Sequence, residues 1–316
     1  MSKRVTIRKL AAELELAPST IYRALSGHPN VSQETRQKVM EASHKQGYLL
    51  PQHETANVAI IVPFFSFGGY LECLLPCLEE EFHRHDFRVL LVSEADIPLL
   101  SNYPLAGIIS LVWKEGLEKL LPKSFSIPTI ILNGSPNKLE HIPTIMSDPK
   151  GIRQALEYLR GRGCRRIFFV SPFTEKTPDA AKRLEEFRQF CLDTGQDYES
   201  LYMKVTWRGI AKKFPMILNA NPDACFCASE SYAIEVGRLL KEFGKRIPED
   251  ISLMGLEDFH GNACFLPPIT AIRQNFEQIA AMAAGQIATA CQTKKTPQGG
   301  LVPFTLIERL SVRRLI

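Results

Sequence analysis

Short, near-continuous apolar runs recur from residue 58 onward, at Val58–Val62, Val89–Val92, Gly107–Leu111, Thr129–Leu132, Ile167–Val170, Ala224–Ala228 and Ile251–Leu256. A strand wetted on one face alternates between apolar and polar residues. A run apolar at every position must be covered on both faces. Helix-periodic stretches separate several of these runs, at Tyr70–His85, Arg153–Arg160, Ala180–Thr194 and Ser231–Phe243. Strands alternating with helices predict parallel sheets flanked by helices, an α/β doubly wound architecture. The roughly 260 residues involved exceed one such core and predict two lobes.

The first fifty residues have a different texture and read as three short helices. Ile7, Leu10, Ala11 and Leu14 lie on one helical face, with Thr6 before them as an N-cap. Pro18 suits the first position of a second helix, where no donor is missed. There Ile21, Ala24 and Leu25 form an apolar stripe, and Ser19, Tyr22 and Arg23 lie opposite, with Thr20 beside them. Gly27 is the expected stop. A third helix is expected to start after Ser32, run through Glu34, Arg36, Val39 and Ala42, and stop at Gly47. Two short helices joined by a tight turn, the second split into apolar and polar faces, have helix-turn-helix geometry. The same pattern is open to a plain three-helix bundle whose polar face is solvated. Charge placement favours the nucleic-acid reading. Residues 1–50 carry eight Lys/Arg against four Asp/Glu, and the rest of the chain carries thirty of each.

Several classes are set aside. No apolar run reaches the ~18 residues of a membrane span, and the N-terminal segment lacks a signal-peptide core, so a cytoplasmic protein is expected. The eight cysteines show no Cys-x-x-Cys pair and no histidines at zinc spacing; they are read as reduced, mostly buried thiols, with no metal or cofactor. Neither a Gly-x-Ser-x-Gly nor a phosphate-binding Gly-x-x-x-x-Gly-Lys segment occurs. Gly161-Arg-Gly163 lies between a helix and a strand, the wrong order for a dinucleotide turn, and reads as a helix stop. Glu257, Asp258 and His260 form one short loop cluster, read as solvated side chains in preference to metal ligands.

Val5-Thr-Ile-Arg-Lys-Leu-Ala-Ala-Glu-Leu-Glu-Leu-Ala-Pro-Ser-Thr-Ile-Tyr-Arg-Ala-Leu-Ser-Gly27, followed by Val31-Ser-Gln-Glu-Thr-Arg36 and Gly47-Tyr48, resembles the headpiece of the LacI/GalR family of bacterial transcriptional regulators. Further matches follow in order: Val58–Pro63, Arg165-Arg-Ile-Phe-Phe-Val170, Arg183-Leu-Glu-Glu-Phe187, Ile247-Pro-Glu-Asp-Ile-Ser-Leu-Met-Gly-Leu-Glu-Asp258 and Ile269-Thr-Ala-Ile-Arg-Gln274. The resemblance implies a helix-turn-helix domain over residues 1–48, a short linker over 49–57, and a two-lobed periplasmic-binding-protein-like core over 58–316. It implies a homodimer on a pseudo-palindromic double-stranded DNA operator and a small-molecule effector, a sugar among the candidates, in a cleft between lobes. By position, Thr6, Ser19, Thr20, Tyr22, Arg23, Ser32 and Thr35 match the family's DNA-contacting residues. Arg23 is the residue suited to a guanine edge, and the hydroxyls to phosphates.

For the effector, Asp148, Arg183, Ser229, Glu257 and Gln274 stand at the family's effector-site positions, and Trp207 and Phe64, the latter just after the first strand, are added as candidates. A guanidinium opposite a carboxylate suits a polyhydroxylated or heterocyclic ligand. Arg183 could instead be a surface charge paired with Glu185 or Glu186. Trp207 is either a stacking platform for a sugar face or a core aromatic. Phe64, Phe65 and Phe67 would narrow the pocket or simply pack.

The chain also departs from the family pattern. Its linker holds nine residues, including Pro51, and lacks the hinge helix whose Leu wedges into the minor groove. Residues 93–106 contain Pro98 and Pro104 and barely allow a crossover, so a stunted helix is expected there. Lys9 cannot complete a capping box with Thr6, and Ala17 cannot cap the second helix with its side chain. Ser229-Glu230 replaces Asn-Asp, and Glu257 replaces the first Asp of a paired-Asp segment. The reading is a non-enzymatic, effector-modulated repressor. The alternatives are a cytoplasmic binding module or an enzyme with a vestigial headpiece.

Overall fold

The computed structural model describes residues 6–25, 30–46, 48, 56–63, 69–111, 127–133, 142–172, 178–229 and 231–314. Gly27, Gly47, residues 49–55, the Phe64–Phe67 cluster and Glu230 lie outside them. The chain divides into two compact units, one comprising Met1–Met146 with Phe276–Gly300, the other Ser147–Asn275 with Leu301–Ile316.

The first unit opens with helices α1 (Ile7–Glu13), α2 (Pro18–Leu25) and α3 (Gln33–Gln46). Thr6 Oγ1 accepts from the Lys9 amide at 3.4 Å, the expected N-cap. The α1–α2 turn places Glu15 in the left-handed region at φ 54°. Ala17 offers α2 only its carbonyl, which accepts from the Thr20 and Ile21 amides at 2.9 and 3.1 Å. Ser32 caps α3, accepting from the Thr35 amide at 3.2 Å and donating to Thr35 Oγ1 at 2.8 Å. Leu10, Ile21, Val39 and Met40 are wholly buried between the three helices, each contributing ~1.5–3 kcal/mol over exposure. Beyond α3, Ser43 Oγ donates to the Tyr48 carbonyl at 2.6 Å, and the Tyr48 amide donates to the Ser43 carbonyl at 2.9 Å.

Strands β1 (Ala56–Val62), β2 (Phe87–Ser93), β3 (Leu105–Ser110), β4 (Thr129–Leu132), β5 (Thr144–Ser147) and β11 (Gly300–Val302) form a sheet in the order β11-β5-β4-β3-β1-β2. The β1–β2, β1–β3, β3–β4 and β4–β5 pairings are parallel. Helix α4 (Tyr70–Arg84) connects β1 to β2. The β2–β3 connection is a 3₁₀ segment, Glu94–Asn102, whose Ile97 and Leu100 are buried on the sheet. Pro98 within it agrees with the stunted crossover expected from the spacing. The first strand begins two residues earlier than the apolar run suggested.

The second unit contains α5 (Lys150–Gly161), α6 (Pro178–Asp193), α7 (Ile210–Lys213), α8 (Pro215–Ala220), α9 (Tyr232–Glu242) and α10 (His260–Cys264). The returning α11 (Phe276–Thr293) belongs to the first unit. The second sheet, of β6 (Ile167–Ser171), β7 (Tyr202–Lys204), β8 (Ala224–Cys227), β9 (Ser252–Leu256), β10 (Thr270–Arg273) and β12 (Thr305–Ile307), has the order β12-β10-β9-β8-β6-β7. β6 to β10 pair in parallel, and β12 joins β10 antiparallel. Leaving aside the added edge strands β11 and β12, both sheets follow the doubly wound order 2-1-3-4-5. As read from Gly161-Arg-Gly163, α5 stops at Gly161, and Gly163 takes φ 82°.

Two substitutions test local features of this fold. A Cβ on Gly299 would lie 2.4 Å from the Thr144 carbonyl oxygen, which no rotamer change relieves. Gly299→Ala should therefore destabilise the protein by ~1–3 kcal/mol, read as a lowered thermal midpoint. Ser32→Ala removes the α3 cap and should cost the headpiece ~1 kcal/mol. Amide exchange of the headpiece, faster in α3 than in the second sheet, checks this; unchanged exchange would refute the capping role.

Candidate functional site

The headpiece presents two unlike faces of α2. Ile21, Ala24 and Leu25 are buried, whereas Ser19 and Arg23 are exposed and Thr20 and Tyr22 are half-buried. Thr6 and Ser32 stand exposed at the starts of α1 and α3, and Thr35 is half-buried beside Ser32. An exposed guanidinium on a helix whose opposite face is sealed by core packing suits the approach to a groove.

In the second unit, parallel pairing brings the ends of β7 to β10 to one edge. Trp207 follows β7, Ser229 follows β8, Glu257 follows β9 and Gln274 follows β10. In doubly wound sheets this carboxyl edge is where ligands bind. Glu257 is 3% exposed and adopts φ 70°, a left-handed conformation that costs a non-glycine residue ~1–2 kcal/mol. Several bonds hold it there. Its amide donates to the Ile272 carbonyl at 2.8 Å. Its own carbonyl accepts from Asn262 Nδ2 on α10, also at 2.8 Å. Gln274 then grips the carboxylate, Nε2 donating to Oε1 at 2.6 Å and the amide N to Oε2 at 3.2 Å. Gln274 Oε1 accepts in turn from Ser147 Oγ at 2.6 Å.

Asp148 follows Ser147. Its Oδ1 accepts from the Lys150 amide at 3.0 Å as α5 begins, and its own amide donates to the Val302 carbonyl at 2.8 Å. Arg183 is 6% exposed on α6, with its guanidinium 5.6 Å from the centre of the Phe304 ring. This burial removes the surface-pair alternative; Glu185 pairs with Arg188 at 3.8 Å. Phe304 also lies over Gly151, where a Cβ would come within 2.2 Å of the ring, so only glycine admits this platform. Trp207 is 45% exposed, and its ring centre lies 6.1 Å from that of Tyr232. Tyr232 is fixed by donating from its hydroxyl to the Val205 carbonyl at 3.1 Å, and burial raises its phenol pKa. Trp207 is therefore no core aromatic.

The structure thus brings Glu257 to Gln274, and Gln274 to Ser147, while Asp148 meets Val302 and Arg183 meets Phe304; the Tyr232 amide donates to the Ser229 carbonyl at 3.4 Å, which places Ser229 beside the Trp207–Tyr232 pair. Phe64 lies outside the described residues. Ser147, Tyr232 and Phe304 escaped the sequence reading, because a lone Ser, Tyr or Phe in an apolar stretch carries no positional signal. The loop cluster also resolves. Asp258 is engaged on two points by Arg309, at 2.6 and 2.8 Å, while exposed His260 faces Cys264 Sγ at 3.6 Å. Among the described residues no group of three or more His, Cys, Asp or Glu is arranged to hold a metal ion. Burial pushes the Cys191 and Cys225 thiols up to about 12 and Cys227 well above its usual value. Cys164 is also buried, whereas Cys264 is exposed and Cys73, Cys77 and Cys291 are half-buried. No described helix is long and apolar enough to cross a membrane.

A periplasmic binding protein-like domain profile matches residues 156–312. Catabolite control protein A of Priestia megaterium is 24% identical, with 94% of this chain and 96% of that protein aligned. The sucrose operon repressor of Streptococcus mutans is 23% identical over 99% and 100% of the respective chains. The transcriptional repressor CytR of Escherichia coli is 25% identical over 98% and 97%. Among solved structures, a lac repressor dimer bound to operator and an anti-inducer shares the fold at TM-score 0.68, with 18% identity over 98% of this chain and 100% of its own. The regulator CelR in complex with cellobiose does so at TM-score 0.71, with 23% identity and the same coverage. A helix-turn-helix start, two doubly wound sheets visited by a chain that crosses between them, and similarity to these regulators over nearly the whole chain agree with the resemblance of the sequence to the LacI/GalR family of transcriptional regulators.

Proposed function

We propose that this protein is a sequence-specific DNA-binding repressor of transcription, acting as a homodimer on a pseudo-palindromic operator and modulated by a small molecule. Residues 1–48 form the DNA-binding domain, 49–55 the linker, and the chain from β1 at Ala56 onward the effector-binding and dimerisation part. The carrying observation is α2, sealed by Ile21, Ala24 and Leu25 on one face and presenting Ser19 and Arg23 on the other. Arg23 reads a base edge, and Thr6, Ser19, Thr20, Tyr22, Ser32 and Thr35 position the backbone. The relatives named as repressors, spanned over nearly their whole length, support the same reading.

The effector site is the carboxyl edge of the second sheet. Glu257 and Gln274 offer acceptors and donors, Arg183 a guanidinium, and Trp207 an exposed aromatic face, with Asp148 and Ser229 beside them. This set favours a polyhydroxylated ligand such as a sugar, whose hydroxyls bond to charged groups and whose C–H face stacks on an indole. No catalytic step is assigned to these residues, and the protein is read as a non-enzyme that works without a cofactor.

Selection of bound sites from random duplex DNA by the full-length protein tests the proposal. The expected result is an enriched pseudo-palindrome that Arg23→Ala binds ~10- to 100-fold more weakly, as loss of a two-point base contact predicts. No enrichment at low salt would overturn the regulator reading.

A further inference from the structure

The chain passes between its two units three times, at Met146–Ser147, Asn275–Phe276 and Gly300–Leu301. Two hydrogen bonds tie together residues of the second unit that lie next to these passages. Ser147, after the first passage, bonds to Gln274, which precedes the second. Asp148, the next residue, donates its amide to Val302 after the third. Only the first of these ties runs through side chains, and it continues to the effector-site carboxylate of Glu257. Ser147, Gln274 and Glu257 are 0%, 3% and 3% exposed.

The donor and acceptor atoms set the direction of this relay. Gln274 Nε2 donates to Glu257 Oε1, so the amide turns its NH₂ toward the carboxyl group and its oxygen toward Ser147. That oxygen only accepts, so the Ser147 hydroxyl must donate to it. A ligand hydroxyl that donates to Glu257 shares its carboxyl charge with the Gln274 bonds and so shifts the grip on Gln274. The change then reaches Ser147 without the ligand touching it.

We propose that Gln274 is a positioning residue that couples the effector carboxylate to the segments by which the chain passes between its units, with Ser147 as its anchor on the first. The inference rests on the effector-site reading for its biological direction. The coupling itself is testable without a ligand. The readout is hydrogen exchange of the Asp148 amide, in the segment 144–152, in the full-length protein. Glu257→Gln leaves Gln274 a neutral partner that accepts either orientation of its amide. It is expected to accelerate Asp148 exchange about tenfold, although Glu257 and Asp148 share no direct bond. Ser147→Ala should give the same acceleration, and exchange in β6 and β8 should not change. In a Gln274→Met background, isosteric but unable to relay, Glu257→Gln should have no further effect.

Acceleration by Glu257→Gln of equal size with and without Gln274 would overturn the proposal, as would none in either Glu257→Gln or Ser147→Ala. Equal acceleration throughout the second sheet would show general destabilisation and also overturn it. Loss of the relay with DNA selection intact would leave the regulator reading standing, so the two failures are distinguishable.

Discussion

Parallel pairing of β6 to β10 is the constraint on which the candidate site depends. A strand can join a parallel neighbour only through a crossover that returns the chain to the starting end, so successive strands all finish at the same edge. Trp207, Ser229, Glu257 and Gln274 are far apart in sequence, yet each follows its strand at that edge. Backbone hydrogen bonding gathers them; no contact among the four side chains is needed until Glu257 meets Gln274. The same rule operates in the first unit, where the strand order is repeated.

Two adjacent carboxylates show how local packing then divides roles. Asp258 is held by the planar fork of Arg309, a two-point contact that commits both of its oxygens. Glu257 instead turns inward through a left-handed backbone and is met by an amide. A buried carboxylate is tolerated only with such compensation, since removing it from water without partners would cost far more than its neighbours could return. Backbone strain and burial concentrated on one residue, at the sheet edge proposed to bind the effector, are the reason Glu257 is placed in that proposed site.

The headpiece was legible almost residue by residue. Thr6 as a cap, Pro18 at the start of α2, Ser32 before α3 and the Ile21–Ala24–Leu25 stripe are local signals, and each is realised because a short helix obeys its own capping and periodicity. The stunted β2–β3 connection was equally legible from Pro98 and the spacing. Less was visible of the short and the uniformly apolar elements. β7, β11 and β12 have three residues each, too few for a period. α11 is rich in alanine, and Ala280, Ala283, Ala284, Ala288 and Ala290 are buried along with Phe276, Ile279 and Ile287, so its apolar surface is too broad to show a clean stripe. Arg183 was legible as a candidate, but whether it faced solvent or the interior was not.

The sequence by itself determined the elements whose causes are local: the capped helices of the headpiece, the doubly buried strands, the shortened linker and the candidate residues at family-matched positions. Tertiary structure alone decided which side chains those candidates meet. The union of Ser147 with Gln274 spans 127 positions, and that of Arg183 with Phe304 joins α6 to the strand-rich C-terminal segment. Neither has a signature at short range, because hydrogen-bond partners and ring contacts are chosen by the path of the backbone in three dimensions. Local chemistry sets what each segment becomes, and the return of the chain across its units sets what each side chain meets.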